Sequence, residues 1–423
     1  MSPAKVKSPT RAKSVVSLFS SVRGFIFDQL NRPGGFDCER EAASNLMLEA
    51  GHASKGLTDA GSDDARIRDI ERKKIRPLIF ALRRFALRRN LTFAEPFWGL
   101  APAEIDTNRV FFIGGDRLRR KLAALCSERD LDLTESAAGW GAGSLRWDTL
   151  RTCYIAVFDF TAEAEDNWPS GYHALGTALA LGIYPMVVVD TPEDLKFDID
   201  LQPVIKSSLA EGLDRALFGI QRSEVSEALP ATISKVVERS NGTDAATLLS
   251  KQTLTAHEAI GPLQTEKILS RLSLTNGGNK WGLLFPTWPG SYPEPNQRRC
   301  FHVMPFSEPW SNEAREAVRR ACGENITYRR GDETEDPNVI RAIWQEICRA
   351  SEVVVDLTGL NCNVCLELAL CHALGRRVLL VARNDGTVER LFPEIAKLQV
   401  KKYDTEMALE KIAQDFLSQP ATP

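Results

Sequence analysis

The sequence predicts an α/β fold made of two tandem doubly wound parallel-sheet domains, with a helical N-terminal region and a helical segment between the repeats. Three observations carry that prediction. The first is an internal repeat within the 423 residues. WDTLRTCYIAVFDFT (147–161) and WQEICRASEVVVDLT (344–358) align without a gap, matching Trp147 with Trp344, Asp159 with Asp356 and Thr161 with Thr358. The second is the character of the short runs VFFI, YIAVFDF and MVVVD, apolar and β-branched as strands buried on both faces are. The third is their alternation with helical spacing, as between Asn338 and Ala350, where Val339, Ile340, Ile343 and Ile347 share a face.

Taken in chain order, residues 1–100 form the helical, basic N-terminal region. Residues 14–30 have helical apolar spacing, 31–62 read partly as loop, and 66–89 hold ten Lys or Arg against two acids on a helix interrupted by Pro77. The first repeat occupies 105–220 and opens on RVFFIGG (109–115). It continues through ALALGIYPMVVV (178–189), which parallels CHALGRRVLLVA (371–382) and aligns Gly182 with Gly375. Residues 221–298 read as a helical segment closed by a Pro-rich linker, 283–298. The second repeat, 299–423, opens on RCFHVMPF (299–306). Both repeats are expected to be flavodoxin-like, with ligands outside the carboxyl ends of the strands. That places Met304 to Ser307, Arg329 to Asp332 and Asp356 to Asn363 around one crevice.

Composition narrows the function class. An apolar content of 43%, a charged content of 26% and a net charge of −3 are those of an ordinary globular chain, with no global demand for nucleic acid. Nine cysteines, an odd number lying mostly in apolar runs, read as reduced thiols of a cytoplasmic protein. No apolar stretch is long enough to span a membrane. Cys362-x-x-Cys365 has no second pair or His cluster beside it, so no metal is expected there. His302 and His372, in apolar settings, read as core residues.

The run VVVDLTGLNCNVCLELALCHALG (353–375) carries the candidate chemistry. A buried strand ends at Asp356, a polar loop follows, and Asn363 reads as the N-cap of a helix over 364–374. Glu367 is an acid in an otherwise apolar helix, which is costly unless it is paired or used. Near the helix N-terminus the macrodipole would hold it ionised as a nucleophile. The plainer reading is that it complements the dipole or pairs with an arginine such as Arg329.

This stretch resembles the nucleoside 2-deoxyribosyltransferase family and the related TIR-like nucleotide-processing domains. The resemblance rests on HVMPFS (302–307), DLTG (356–359), NVCLEL (363–368) and HALG (372–375), in that order. It implies that Glu367 attacks the anomeric carbon of a ribosyl or deoxyribosyl group; the departing base then asks for an acid nearby, for which Asp356 and Asp332 are the candidates, the plainer role for Asp356 being to cap its loop. Asn361 and Asn363 would bind sugar hydroxyls, Phe306 would stack on the base, and Arg329 or Arg330 would suit a phosphate. Met304, Ser307 and Gly359 complete the expected substrate-binding set. No cofactor is expected; NAD or another nucleotide enters as substrate. Similar domains serve as toxic effectors of bacterial antiviral defence, which makes NAD hydrolysis a close variant.

The first repeat departs from this pattern, with Ala174 opposite Glu367 and His173 its nearest polar neighbour. Its glycine-rich loops, IGGD (113–116) and GWGAGS (139–144), leave nucleotide binding open. It can also supply the role that a neighbouring subunit plays in the family. Two functions follow: N-glycosidic bond cleavage or transfer on a nucleoside or nucleotide, or a non-catalytic nucleotide-sensing module controlling assembly or a partner. The basic N-terminal region is the expected contact for a nucleic acid or protein partner, and a homo-oligomer or complex subunit is the expected state.

Overall fold

The structure, a computed structural model, describes residues 37–61, 63–87, 92–94, 96–98, 105–135, 142–190, 195, 204–205, 209–218, 282–284, 286–288, 298–333 and 339–419. The predicted helix over 14–30 and most of the helical segment over 221–298 lie outside these residues.

Each repeat builds a five-stranded sheet, all parallel, with the same strand order. The first contains β2 (Asp106–Ile113), β3 (Asp132–Glu135), β4 (Cys153–Asp159), β5 (Tyr184–Val188) and β6 (Val204–Ile205), in the order β3-β2-β4-β5-β6. The second contains β8 (Arg299–Val303), β9 (Thr327–Arg330), β10 (Glu352–Asp356), β11 (Arg377–Arg383) and β12 (Val400–Tyr403), in the order β9-β8-β10-β11-β12. In both, the second strand lies outside the first and the third continues on its other side. This is the doubly wound order with its switch point between β2 and β4, or β8 and β10. The central strands β4 and β10 are buried at every residue, so apolar β-branched runs were the legible signal.

The helices α5 (Ala142–Leu150) and α6 (Trp168–Leu181) cover the inner face of the first sheet. On the second, α9 (Val339–Arg349) and α10 (Cys362–Ala373) do the same. These inner faces meet in one shared apolar core, with α6 packed along α10. The outer face of the first sheet is covered by α4 (Asp116–Glu128), α7 (Leu209–Phe218) and the N-terminal helices α1 (Asp37–Ala60), α2 (Asp64–Ile70) and α3 (Arg76–Leu87). The outer face of the second carries α8 (Ser311–Cys322) and α11 (Glu406–Ser418). Among the described residues no helix is long and apolar enough to cross a membrane.

Three readings of the N-terminal and linker regions change. Residues 37–60, expected partly as loop, are helical; Gly56 serves there as a contact surface, with Ile70 3.4 Å from where its Cβ would stand. Pro77 does not interrupt the basic helix, because it follows a π-helical turn (Glu71–Ile75) and enters in the first turn of α3. Among the described residues, two of its bases are buried: Arg76 donates to Asn108 and to the Asp130 carbonyl, and Arg83 donates to the Tyr154 hydroxyl with Tyr184 under its guanidinium. The Pro-rich linker is in part a docked arm. β7 (Gly282–Leu284) pairs antiparallel with β1 (Thr92–Ala94), and Trp288 is buried against Trp344.

The arms make the repeat longer than the sequence alone suggested. Thr287 donates its N–H to the Leu179 carbonyl of α6, and Phe97 donates to the His372 carbonyl of α10. Each arm thus caps the inner helix of the other repeat. The two repeats are also joined by a buried ion pair between Arg146 and Glu394, whose carboxylate accepts from Ser170 Oγ at 3.1 Å. A His173–His372 contact of 3.4 Å lies in the same interface.

Candidate active site

The candidate site lies at the carboxyl ends of β8, β9 and β10. After β10 the chain turns through Thr358–Leu360 with two consecutive residues at positive φ, Gly359 at 75° and Leu360 at 52°. Leucine adopts that conformation at a cost of about 1 kcal/mol or more, so the tertiary structure imposes it. The loop is pinned by Gly359 N–H donating to Thr387 Oγ1 at 2.9 Å and by Leu360 N–H donating to the Leu357 carbonyl.

The N-cap of α10 is Asn361, not Asn363. Asn361 Oδ1 accepts from the N–H groups of Asn363 and Val364 at 2.9 and 3.4 Å. The sequence offered two asparagines two residues apart, and the positive-φ turn decides which of them meets the free amides. With the helix starting at Cys362, Glu367 is its sixth residue, beyond the first turn where the macrodipole acts.

That position changes the electrostatics of Glu367. Its side chain is 95% buried, and burial alone pushes its carboxyl up to about 8. Among the described residues no cation opposes the shift, and Glu367 forms no ion pair with Arg329 there. Arg329 is exposed on edge strand β9, on the opposite side from buried Arg330. Glu367 therefore rests mostly protonated at neutral pH, in contrast to the ionised, dipole-held state expected from sequence. Its companion one turn on is Cys371, likewise buried.

Asp356 is fully buried, and both of its oxygens are engaged. Oδ1 accepts from Thr358 N at 3.0 Å and Thr358 Oγ1 at 2.6 Å, while Oδ2 accepts from the Tyr403 hydroxyl at 2.5 Å. Burial raises its pKa, and the Thr358 and Tyr403 hydrogen bonds oppose that rise. The first repeat has the same turn: Asp159 Oδ1 accepts from Thr161 N and Thr161 Oγ1 at 3.1 and 2.7 Å. A repeat with Ala174 opposite Glu367 keeps this Asp–Thr pair, so the pair belongs to the strand-end turn. Tyr403→Phe strands a buried carboxylate oxygen and is expected to cost about 1–3 kcal/mol, read as a fall in the denaturant midpoint.

The other expected residues separate. Met304 is buried in the outer core with Cys300 and Val354. Ser307 and Gly359 are exposed, and Phe306 is 40% exposed. Phe306 sits 3.1 Å from where a Gly331 Cβ would stand, beside Ile343 of α9, with the Arg330 guanidinium 5.1 Å from its ring centre. Asp332 binds that guanidinium through both oxygens. Phe306, Arg330, Gly331, Asp332 and Ile343 thus form one cluster, while Asn361 holds the helix bearing Glu367. Gly331 falls within the expected Arg329–Asp332 stretch, whereas Ile343 was legible only as a helix-face residue and no local motif marks it.

In the first repeat the glycine-rich IGGD loop has a structural explanation. Gly114 lies where a Cβ would stand 2.1 Å from that of Asp159, and Gly115 N–H donates to Asp159 Oδ2 at 3.0 Å. A carboxylate of the chain itself occupies the cradle. GWGAGS (139–144) lies outside the residues whose side chains the structure describes. Cys362 and Cys365 are buried and form no disulfide among the described residues.

No protein-family model matches the chain, and no curated protein matches it either. Among solved structures, it is similar to the C-terminal domain of glucosamine-fructose-6-phosphate aminotransferase from Francisella tularensis, at 11% identity over 99% of this chain and 96% of that chain. The TM-score of 0.19 is too low for that likeness to carry any argument about fold or chemistry, which rest on the residues described above.

Proposed function

We propose that this chain cleaves or transfers an N-glycosidic bond in a nucleoside or nucleotide, NAD included, with Glu367 as the nucleophile. The observation that carries the reading is a carboxyl buried in the second turn of the helix that follows β10, with no cation beside it among the described residues. A structural carboxylate would be paired; this one is left to meet positive charge brought by a substrate. An oxocarbenium-like transition state supplies that charge, so the carboxylate gains stabilisation there which it lacks in the free protein.

In the proposed step Glu367 first loses its proton to solvent, and an oxygen of the carboxylate forms a bond to the anomeric carbon as the C–N bond breaks. The bonding pair leaves with the base, and water or an acceptor hydroxyl later displaces the ester. Asp356 is committed to Thr358 and Tyr403, and Asp332 to Arg330, which leaves neither free to protonate a departing base. This favours a leaving group that needs no proton, such as the pyridinium of NAD, which departs neutral. Asp356 then acts as a positioning residue for the turn that places Asn361 and α10. The test is chromatographic: wild type and Glu367→Gln are incubated with NAD and a panel of nucleosides and nucleotides. Base release by the wild type and none by the variant supports the reading. Silence from both, with tight nucleotide binding, would move the assignment to a sensor.

A further inference from the structure

Beside Phe306 lies a buried donor that the fold leaves unused. Arg330 is 6% exposed; its Nε and Nη2 are taken by Asp332, and Nη1 has no hydrogen-bond partner among the described residues. Directly across the sheet, at the register partner of Arg330, His302 is fully buried. Its Nδ1 is 3.0 Å from the Tyr328 hydroxyl, and its Nε2 has no partner among the described residues. Burial first, and then the neighbouring Arg330, push the His302 pKa down to about 3, so the imidazole is neutral at physiological pH. An unpaired buried polar atom costs about 1–3 kcal/mol, and a cationic donor in that state beside a partly exposed ring calls for an acceptor.

Charge balance indicates what the occupant is. Around Arg330 stand Asp332, Glu333 and Arg315, with Arg315 and Glu333 3.7 Å apart and Glu333 Oε2 accepting from Arg330 N. Two guanidinium groups facing two carboxylates leave no net positive charge for a phosphate. A neutral oxygen acceptor suits the site better, because it satisfies Nη1 without facing Asp332 as a like charge. The Phe306 ring, lying over the guanidinium and partly exposed, provides an apolar cover for a flat group entering in the guanidinium plane.

We infer that Arg330 Nη1 is a specificity-determining donor for the amide or lactam carbonyl of the substrate's base, held ready by Asp332 and roofed by Phe306. This deepens the glycosidic reading and rests on it for placing a base in this crevice. It replaces the phosphate role that Arg329 or Arg330 was expected to play.

The test uses free bases, so that it does not depend on turnover. Equilibrium binding to the full chain is measured by calorimetry for hypoxanthine against unsubstituted purine, and for nicotinamide against pyridine, with inorganic phosphate as the anionic probe. A charged donor meeting a carbonyl predicts that the carbonyl-bearing member of each pair binds roughly ten- to a hundredfold more tightly. Arg330→Lys, which keeps the charge beside Asp332 but has no Nη1, is expected to shrink that preference to about threefold or less. Equal affinity within both pairs, a preference unchanged in the Lys variant, binding of phosphate alone, or no base binding overturns the inference. If the Lys variant does not fold, the wild-type pairs decide. A carbonyl preference in a chain that releases no base would sink the glycosidic reading and leave this one standing.

Discussion

Glu367→Gln is expected to lower base release by roughly a thousandfold or more while leaving the folded chain at least as stable as wild type above neutral pH. The two halves of that result have one cause. Burial raises the Glu367 carboxyl from 4.5 to about 8, and nothing nearby compensates the charged form. The folded state therefore binds more protons than the unfolded state between those values, so this group's contribution to stability falls as pH rises. It is fully present below about pH 4.5 and is lost progressively toward pH 8. At about 1.4 kcal/mol per pKa unit the span is about 5 kcal/mol. Glutamine is neutral at every pH and nearly the same shape, so the variant lacks that decline. Denaturant midpoints at pH 5 and pH 8 should differ more for wild type than for the variant. The buried histidines titrate alike in both proteins and cancel from the comparison. Identical pH dependence in the two would show that Glu367 is not the strained carboxyl described here. Activity should follow the opposite direction: kcat/KM rises about tenfold per pH unit up to about pH 8 and then levels, because the nucleophile is the ionised form. A rate that falls through that range would instead make Glu367 a proton donor.

Gly176→Ala, a single methyl group in the repeat that lacks the glutamate, is expected to damage the site in the other repeat. A Cβ there would stand 2.5 Å from the Leu366 carbonyl oxygen and 2.9 Å from Ala369 Cβ. Leu366 immediately precedes Glu367, and its carbonyl is backbone, which cannot swing aside as a flexible side chain can. Helix propensity favours alanine by about 1 kcal/mol. Overpacking a rigid helix crossing outweighs that, typically by 1–3 kcal/mol, so a net fall of about 2 kcal/mol in stability is expected. Relief of the overlap moves α10 relative to its sheet, and a misplacement of about 1 Å at a reacting group costs about a hundredfold in rate. The measurements are the denaturant midpoint and the rate of base release in the same preparation. Wild-type values for both would show that the α6–α10 contact does not position Glu367. A lost rate with retained stability would point to positioning alone.

The sequence by itself determined the architecture. Fully apolar β-branched runs at β4 and β10 can only be strands covered on both faces, and the gapless match of Trp147, Asp159 and Thr161 to Trp344, Asp356 and Thr358 required two copies. Local chemistry also made Glu367 visible, since a lone acid in an apolar helix is costly wherever it falls. Tertiary structure decided the rest. Whether Glu367 is ionised depends on helix start and on which cations are near, and neither follows from spacing. The turn at Gly359 and Leu360 gave the cap to Asn361, and strand alternation turned Arg330 inward and left Arg329 exposed. The arms were hidden because prolines in 283–298 signal a break in hydrogen bonding along the chain, and say nothing of partners across it. A β1–β7 pairing joins residues 190 apart in sequence, and such contacts are set by how two apolar faces close on each other.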